Sequence, residues 1–345
     1  MKKILFVINS LSSFGGCERV ATMLANKFQK NGVSVKFVLA TNENQIAYEV
    51  DSSISVEAGK GGGLSLMCRV IKSSIDWEPD LILVHSMGKL GLLMSVLPKS
   101  LVSKMYVLEH CAFAALPKWM RLSKKILYRR LAGIVCLTNK DKEDYAGLSS
   151  RVNVIPNASP FQRGLPRCDL ERKRILSIGR LEFEKGFDML LESWEIASSC
   201  LEDWELHIVG AGSQKNMLLN IIGSKNLQRV FIGDPTPNVS ELYRNASIYV
   251  MSSRHEGLPM VLIEAQSFGM PIVSFDCPNG PSEIIENNID GYLVKCFDIQ
   301  GLSDAIVALA QSLELRFEFS NNAINSSLRY DEDVVYNKWV HVLNE

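Results

Sequence analysis

The sequence predicts an α/β protein built from two doubly wound, parallel-sheet domains that face each other across a cleft. Three observations lead there. Apolar runs of strand length alternate with segments of helical spacing from the amino end onward. That alternation stops at a stretch holding Pro160, Gly164 and Pro166, then starts again. A chain of 345 residues is also long for one core. The expected boundaries are 1–165 and 166–330, with 331–345 as a closing helix.

In the first half, Lys3–Asn9 is a continuous apolar run followed by a loop ending in Gly15 and Gly16. Cys17–Lys30 then places Val20, Met23, Leu24 and Phe28 at helical spacing, and Val33–Ala40 is the next strand after the Asn31-Gly32 turn. This strand, loop, helix, strand order implies a parallel sheet covered by helices. The two glycines would let backbone approach a ligand at the carboxyl end of the first strand, or would simply permit a turn. They do not form the Gly-x-Gly-x-x-Gly dinucleotide fingerprint, so a dehydrogenase is disfavoured. Further strands are expected at Asp80–Val84, Met105–Leu108, Ile134–Leu137 and Val152–Ile155, with Gly59–Gly63 as a flexible loop.

Pro117–Leu131 carries Lys118, Arg121, Lys124, Lys125, Arg129 and Arg130 with no acidic residue, interleaved with Trp119, Leu122, Ile126 and Leu127. On a helix this is a basic amphipathic surface with a tryptophan at its border, as in segments that lie on anionic membranes. An ordinary docked helix with a solvated basic face has the same composition. The segment belongs to a basic half: residues 1–165 hold 22 Lys and Arg against 12 Asp and Glu, while residues 166–345 hold 15 against 26. Such asymmetry suggests two domains with different partners. Nucleic acid is not among those expected.

Hydrophobic content of 47% and charged content of 22% are ordinary for a folded soluble protein. No apolar stretch reaches bilayer length, and the amino end reads as a strand without a small-residue cleavage pattern, so a cytoplasmic location is expected. The eight cysteines are scattered without a metal knuckle or redox pair and are expected to be reduced.

In the second half the pattern restarts with strand Arg174–Ile178, helix Phe187–Ala197, strand Glu205–Val209, a helix near Gln214–Ile222, strand Val230–Ile232, a helix near Val239–Tyr243 and strand Ser247–Met251. The stretch Ser252–Gly269 follows. Its Gly257-Leu258-Pro259 turn leads into an apolar helix, with Pro259 suited to the first helical position and Gly269 to the residue past the end. Glu264 is the one ionisable residue of that helix, set among Val261, Leu262, Ile263, Ala265 and Phe268. A carboxylate in such surroundings is rarely tolerated without a polar partner, whether a ligand or a structural arginine. Glu256 lies just before the helix, beside backbone N–H groups and the positive dipole end, where it could help to cap the helix or serve a ligand bearing phosphates and hydroxyls.

Taken together, these residues resemble the retaining glycosyltransferases of family 4, which have the GT-B architecture. The resemblance covers nearly the whole chain. It rests on Gly15-Gly16-x-Glu18-Arg19, Glu109-His110, Ile155-Pro156-Asn157, Gly179-Arg180 with Lys185-Gly186, the pair Glu256 and Glu264, and Gly280–Ile285 followed by Asp290–Val294. It implies that Arg180 and Lys185 bind the donor diphosphate, and that Glu264 accepts from the ribose hydroxyls. By the same resemblance Glu256 contacts the donor sugar, and the turn and helix start at Gly257, Leu258, Met260 and Val261 approach sugar and phosphates. Gly15 and Gly16 would meet the diphosphate, His110 would lie near the donor sugar, and the closing helix would pack toward the first domain. The catalytic set so implied is Glu256, His110, Arg180 and Lys185. No metal and no cofactor beyond the donor, a UDP-sugar by family weighting, is implied.

The activity expected is transfer of a hexose or N-acetylhexosamine to a lipid-linked oligosaccharide or surface polysaccharide precursor at the inner face of the cell membrane. A nucleotide-sugar epimerase of the same architecture and a non-catalytic sugar-binding protein are the competing readings.

Overall fold

A computed structural model describes residues 2–13, 15–42 and 45–344. The chain forms two compact units, Met1–Ala158 with Val335–Glu345 and Ser159–Val334. The first contains β1 (Lys3–Ile8), α1 (Gly16–Lys30), β2 (Ser34–Leu39), β3 (Ser55–Glu57), α2 (Gly62–Trp77), β4 (Leu81–Ser86), α3 (Lys89–Ser95), α4 (Lys99–Val102), β5 (Met105–Glu109), α5 (Lys118–Leu127), β6 (Gly133–Cys136), α6 (Asn139–Tyr145) and β7 (Val152–Val154). Its strands lie in the order β3-β2-β1-β4-β5-β6-β7.

The second unit runs β8 (Arg174–Ile178), α7 (Phe187–Ala197), β9 (Glu205–Val209), α8 (Lys215–Ser224), β10 (Val230–Gly233), α9 (Val239–Arg244), β11 (Ile248–Met251), α10 (Met260–Ser267), β12 (Ile272–Asp276), α11 (Pro281–Ile284), β13 (Gly291–Lys295), α12 (Ile299–Gln311) and α13 (Leu313–Ser327). Its strand order is β10-β9-β8-β11-β12-β13. Every ladder in both sheets is parallel. Central strands such as β1 and β4 are buried almost throughout, which is why they read as unbroken apolar runs.

The order of strands reverses beside β1 in the first sheet and beside β8 in the second. Loops leaving β1 and β4, and those leaving β8 and β11, therefore diverge to opposite faces and leave a crevice at the carboxyl end of each sheet.

The first unit ends at Ala158, before the expected boundary at 165, because the following residues are tied into the second. Ser159 N–H donates to Tyr330 O at 2.7 Å, its hydroxyl meets Ser267 Oγ at 2.8 Å, and Phe161 packs edge-on against Phe268 at 4.8 Å. The last helix, α14, spans Glu332–Asn344, and Glu345 lies outside the described residues. From Val335 it belongs to the first unit, where Tyr336 and Trp339 meet Phe28 edge-on at 5.6 and 6.3 Å.

Three sequence expectations are corrected. The short strand β3 and the helix α2 were not foreseen, and α2 begins inside the glycine run expected to be a flexible loop: Gly61 and Gly62 take φ of +118° and +52°, which turns the chain into the helix. Strand β13 was likewise missed, its apolar pattern being short and broken by Tyr292 and Lys295. The basic stretch 117–131 does not present all of its charges outward. Lys124 is fully buried, with Nζ 2.6 Å from Glu109 Oε1, and Tyr128 donates its hydroxyl to the same oxygen at 2.5 Å. Arg130 donates to the carbonyls of Ser95 and Leu97 at 2.9 and 3.0 Å.

Breaking the buried pair should be costly, because burial already raises the Glu109 carboxyl and, without Lys124, it would be left buried with neither its counter-ion nor that hydrogen bond. Lys124→Met is expected to lower stability by about 3–5 kcal/mol in urea denaturation. Adding Glu109→Gln should recover part of that loss.

Candidate active site

In the second unit the chain leaves β8 at Gly179 and Arg180. Gly179 N–H donates to Val209 O at 3.1 Å and Leu181 N–H to Ala211 O at 2.8 Å, so this loop is laid against the one leaving β9. A Cβ on Gly210 would lie 1.8 Å from Gly179 O, and one on Gly212 would lie 2.4 Å from Leu181 O. Only glycines allow the two backbones to come this close. The sequence reading passed over these two glycines, although Gly210-Ala211-Gly212 directly after a strand was a usable signal of close backbone approach. Arg180 itself is exposed, and its positive charge helps to hold the nearby Glu182 carboxyl below its usual range, after the Ser213 hydrogen bonds that do most of this.

A single turn, Phe183–Lys185, carries Lys185 to Glu256 on the loop leaving β11. Lys185 Nζ stands 2.6 Å from Glu256 Oε1, and Ser253 donates its hydroxyl to that oxygen at 2.7 Å. The two side chains are 21% and 11% exposed, so the pair is sheltered yet reachable. Several contacts fix the two loops together. Ser252 donates to Lys185 O at 3.1 Å, and Arg254 N–H to Glu184 O at 2.7 Å. The Arg254 guanidinium grips both oxygens of Asp188 at 2.9 and 2.6 Å and stacks on Phe183 at 4.0 Å. Burial alone would raise the Asp188 carboxyl, but the Arg254 hydrogen bonds outweigh it and hold the group below its usual range. Gly186 must be glycine here: its φ is +64°, and a Cβ would lie 2.1 Å from Ser252 O.

Glu256 therefore does not cap the following helix, and Pro259 occupies the position before the first helical residue instead of the first itself. Met260 and Val261 begin α10 half-buried, offering N–H groups that have no acceptor within the helix. Leu258 is buried, and Gly257 is approached by Gly280, whose own Cβ would fall 2.6 Å from Gly257 O. Glu264 is 5% exposed and accepts from the Tyr243 hydroxyl at 2.9 Å, which gives the buried carboxylate a polar partner. Gly269 closes the helix at φ +64°, as its position suggested.

In the first unit Gly15 precedes α1 in extended conformation, and a Cβ there would strike Glu18 Oε2 at 2.3 Å. A Cβ on Gly16 would meet nothing within 4 Å. His110 follows β5, its N–H donating to Ser86 O at 2.9 Å. Behind it on β4 lies His85, 1% exposed, whose Nδ1 is 3.2 Å from His110 Nε2. Burial pushes both imidazoles down, His110 to about 4 and His85 well below its usual value, with His110 adding to the effect on His85. Both are neutral at physiological pH. Cys17, His85 and His110 each bring one potential ligand atom within 4.8 Å of the others. Burial pushes the Cys17 thiol up.

Each unit thus carries its polar groups along the carboxyl edge of its sheet, beside or one strand from the reversal point, and the second adds to them a helix start suited to phosphate. These are the traits of nucleotide-binding α/β units, and two of them in one chain define the GT-B class of transferase. Residues 14–162 match the family model "Glycosyltransferase Family 4", and residues 161–326 match "Glycosyl transferases group 1". The chain is 32% identical over 356 residues to the amylovoran biosynthesis glycosyltransferase AmsD of Erwinia amylovora, covering 100% of each. It is 26% identical over 360 residues to the GalNAc-alpha-(1->4)-GalNAc-alpha-(1->3)-diNAcBac-PP-undecaprenol alpha-1,4-N-acetyl-D-galactosaminyltransferase of Campylobacter jejuni subsp. jejuni, covering 100% of this chain and 99% of that one. Among solved structures, Anabaena HepE in complex with UDP superposes with a TM-score of 0.81 at 18% identity, over 100% of both chains. The chain belongs to the group 1, family 4 glycosyltransferases and is a glycosyltransferase.

The neutral histidines give a pH dependence with a definite sign. An unfolded histidine takes up its proton near 6.5, whereas folded His110 waits until about 4, so the unfolded state binds more protons in that interval. Stability is expected to be full above pH 6.5 and to decline as pH falls toward 4. Urea midpoints measured across this range should show the decline, and His110→Gln should reduce its slope.

Proposed function

We propose that this enzyme transfers a hexose or N-acetylhexosamine from a UDP-sugar to a lipid-linked oligosaccharide or surface polysaccharide precursor, with retention at the anomeric carbon. The observation that carries the reading is the grouping, at the reversal point of the second sheet, of exposed Arg180, the Lys185–Glu256 pair and the start of α10. Arg180 and Lys185 take the donor diphosphate by charge-assisted contacts that strengthen as the sugar–phosphate bond breaks. Glu264 accepts from the ribose hydroxyls, with Tyr243 holding the carboxylate in place. Glu256 binds sugar hydroxyls, and the backbone at Gly257, Leu258, Met260 and Val261 approaches sugar and phosphates. Gly15 and Gly16 bring backbone N–H groups to the diphosphate, and His110 contacts the donor sugar.

No side chain is assigned as nucleophile. The acceptor hydroxyl attacks the anomeric carbon on the face that the diphosphate leaves. As the new glycosidic bond forms and the bond to phosphate breaks, the acceptor's proton passes to the departing phosphate oxygen. No metal or further cofactor has a part in this scheme. UDP as the leaving group is supported by the UDP bound in the HepE structure, and a lipid-linked acceptor by the PP-undecaprenol glycan in the name of the Campylobacter relative. A hollow of about 790 Å³ at the carboxyl edge of the first sheet, bordered by Asn9, Thr41, Lys60, Lys89 and Leu90, offers room for the acceptor.

Among the described residues, no helix is long and apolar enough to cross a membrane. Contact with an anionic membrane, at its cytoplasmic face, is assigned to α5 within 117–131. Trp119, Leu122 and Ile126 share one side of α5 and are 58%, 62% and 65% exposed. Lys118, Lys125 and Arg129 lie exposed beside them. An apolar stripe bordered by bases is the arrangement an interfacial helix needs.

Nucleotide release from UDP-, GDP- and ADP-sugars, with and without membrane extract as acceptor, tests the activity. Acceptor-dependent release from a UDP-sugar, lost in Glu256→Ala, is expected; isomerisation of the donor, or binding without turnover, would overturn it. Glu264→Ala should weaken UDP binding roughly ten- to a hundredfold in calorimetry. Replacing Trp119, Leu122 and Ile126 with Ser should cut sedimentation with phosphatidylglycerol vesicles by on the order of tenfold or more, and unchanged sedimentation would remove the membrane assignment.

A further inference from the structure

The histidine behind His110 has no place in the scheme above, yet it is among the most sheltered polar side chains of the first unit. His85 sits on β4 with its ring 5.2 Å from Phe6 on one side and 5.4 Å from His110 on the other, both nearly parallel to it. Rings that are almost parallel, with Nδ1 of one 3.2 Å from Nε2 of the other, lie edge to edge along a hydrogen bond. Only one of the two nitrogens can carry the shared hydrogen while both rings are neutral.

The other nitrogen of His85 decides which. Nε2 is buried and has no hydrogen-bond partner. If His110 were the donor, His85 would accept at Nδ1 and carry its own hydrogen on Nε2, leaving a buried N–H unpaired. If His85 is the donor, Nε2 bears only a lone pair. Buried N–H groups without partners are rarer than unpaired acceptors, so the second arrangement is favoured. His110 then accepts at Nε2 and holds its hydrogen on Nδ1. That Nδ1 has no partner among the described residues, and it is not one of the buried polar atoms.

We propose that His85 is a positioning residue that fixes His110 as its Nδ1–H tautomer, so that His110 offers a single, oriented hydrogen-bond donor to an oxygen of the bound donor sugar. The proposal rests on the reading of His110 as a sugar contact. Without His85 the imidazole would be free to turn over and to prefer the Nε2–H form usual for free histidine. His110 would then present an acceptor, or a misdirected donor, to the ligand. The effect is the one by which outer-sphere partners orient histidine ligands, transferred here to a histidine that binds a sugar.

The test uses the full chain labelled with 15N-histidine, whose five histidines are few enough to assign by substitution. Long-range proton–nitrogen spectra at pH 7 should show His110 with Nδ1 protonated and Nε2 bare; a protonated Nε2 in the unsubstituted protein overturns the proposal. His85→Leu should shift His110 toward the Nε2–H form and lower kcat roughly ten- to a hundredfold, with UDP affinity unchanged. His85→Asn, whose amide can donate from about the place of Nδ1, should restore the tautomer and much of kcat. Should Leu and Asn variants share the same tautomer and the same kcat, His85 is merely packing and the proposal fails. If His85→Leu does not fold, the spectrum of the unsubstituted chain and the Asn variant still decide. The tautomer is read without any donor present, so failure of the transferase reading would leave the spectra as found, whereas failure of this proposal would leave donor turnover intact.

Discussion

Parallel pairing is the constraint from which the rest follows. With all strands of a sheet pointing the same way, every carboxyl end lies on one edge, and every connection must return across a face. Where the order reverses, beside β1 and again beside β8, neighbouring loops part and the edge opens. Gly15, Gly16 and His110 stand on that edge in one unit, and Arg180, Lys185 and Glu256 in the other. Their chemistry differs, but the reason they are near one another is the same. None is close in sequence to all its neighbours; Lys185 and Glu256 are 71 residues apart and still meet at 2.6 Å.

What could be read beforehand was whatever burial on both faces writes into a strand. β1, β4, β5, β8 and β11 are apolar and central, and their positions were legible to within a few residues. β3 has only three residues, partly exposed, and β13 is half-exposed in its middle, so neither writes a continuous buried run into the sequence, whereas the edge strands β7 and β10 were foreseen. The identities of the polar residues at the strand ends were legible as well, but their partners were not. Tyr243 for Glu264, His85 for His110, and Gly210 and Gly212 beneath the Arg180 loop all come from segments distant in sequence. Partner choice is a property of packing, and periodicity carries no record of it.

Charge counting overstates how many bases the first half turns outward. The excess of bases in the first half suggested an anionic partner, and 117–131 looked uniformly basic. Yet Lys124 is there to neutralise Glu109 inside the core, Arg130 to satisfy carbonyls at the end of α3, and Arg69 to donate to Leu39 O at 2.8 Å. What remains on the exposed side of α5 is fewer bases and more apolar surface than composition implied. The argument for a membrane face consequently moves from net charge to the Trp119, Leu122, Ile126 stripe, which is less sensitive to salt than a purely basic patch.

The two sets of site residues are prepared for ligands in opposite electrostatic manners. In the second unit Lys185 and Glu256 neutralise one another before anything binds, and Arg254 with Asp188 keeps their loops in register. A diphosphate arriving near Arg180 would draw on Lys185 and release Glu256 for hydroxyl groups, so a single event serves both halves of a sugar nucleotide. In the first unit burial holds His85 and His110 uncharged, and no counter-ion needs to be displaced. A neutral donor suits a sugar hydroxyl, where an imidazolium would instead compete for the phosphates. The hydrogen bond between the two imidazoles is thus the natural counterpart of the Lys185–Glu256 pair: each presets a side chain before the ligand arrives, one by opposite charge and the other by the position of a single proton.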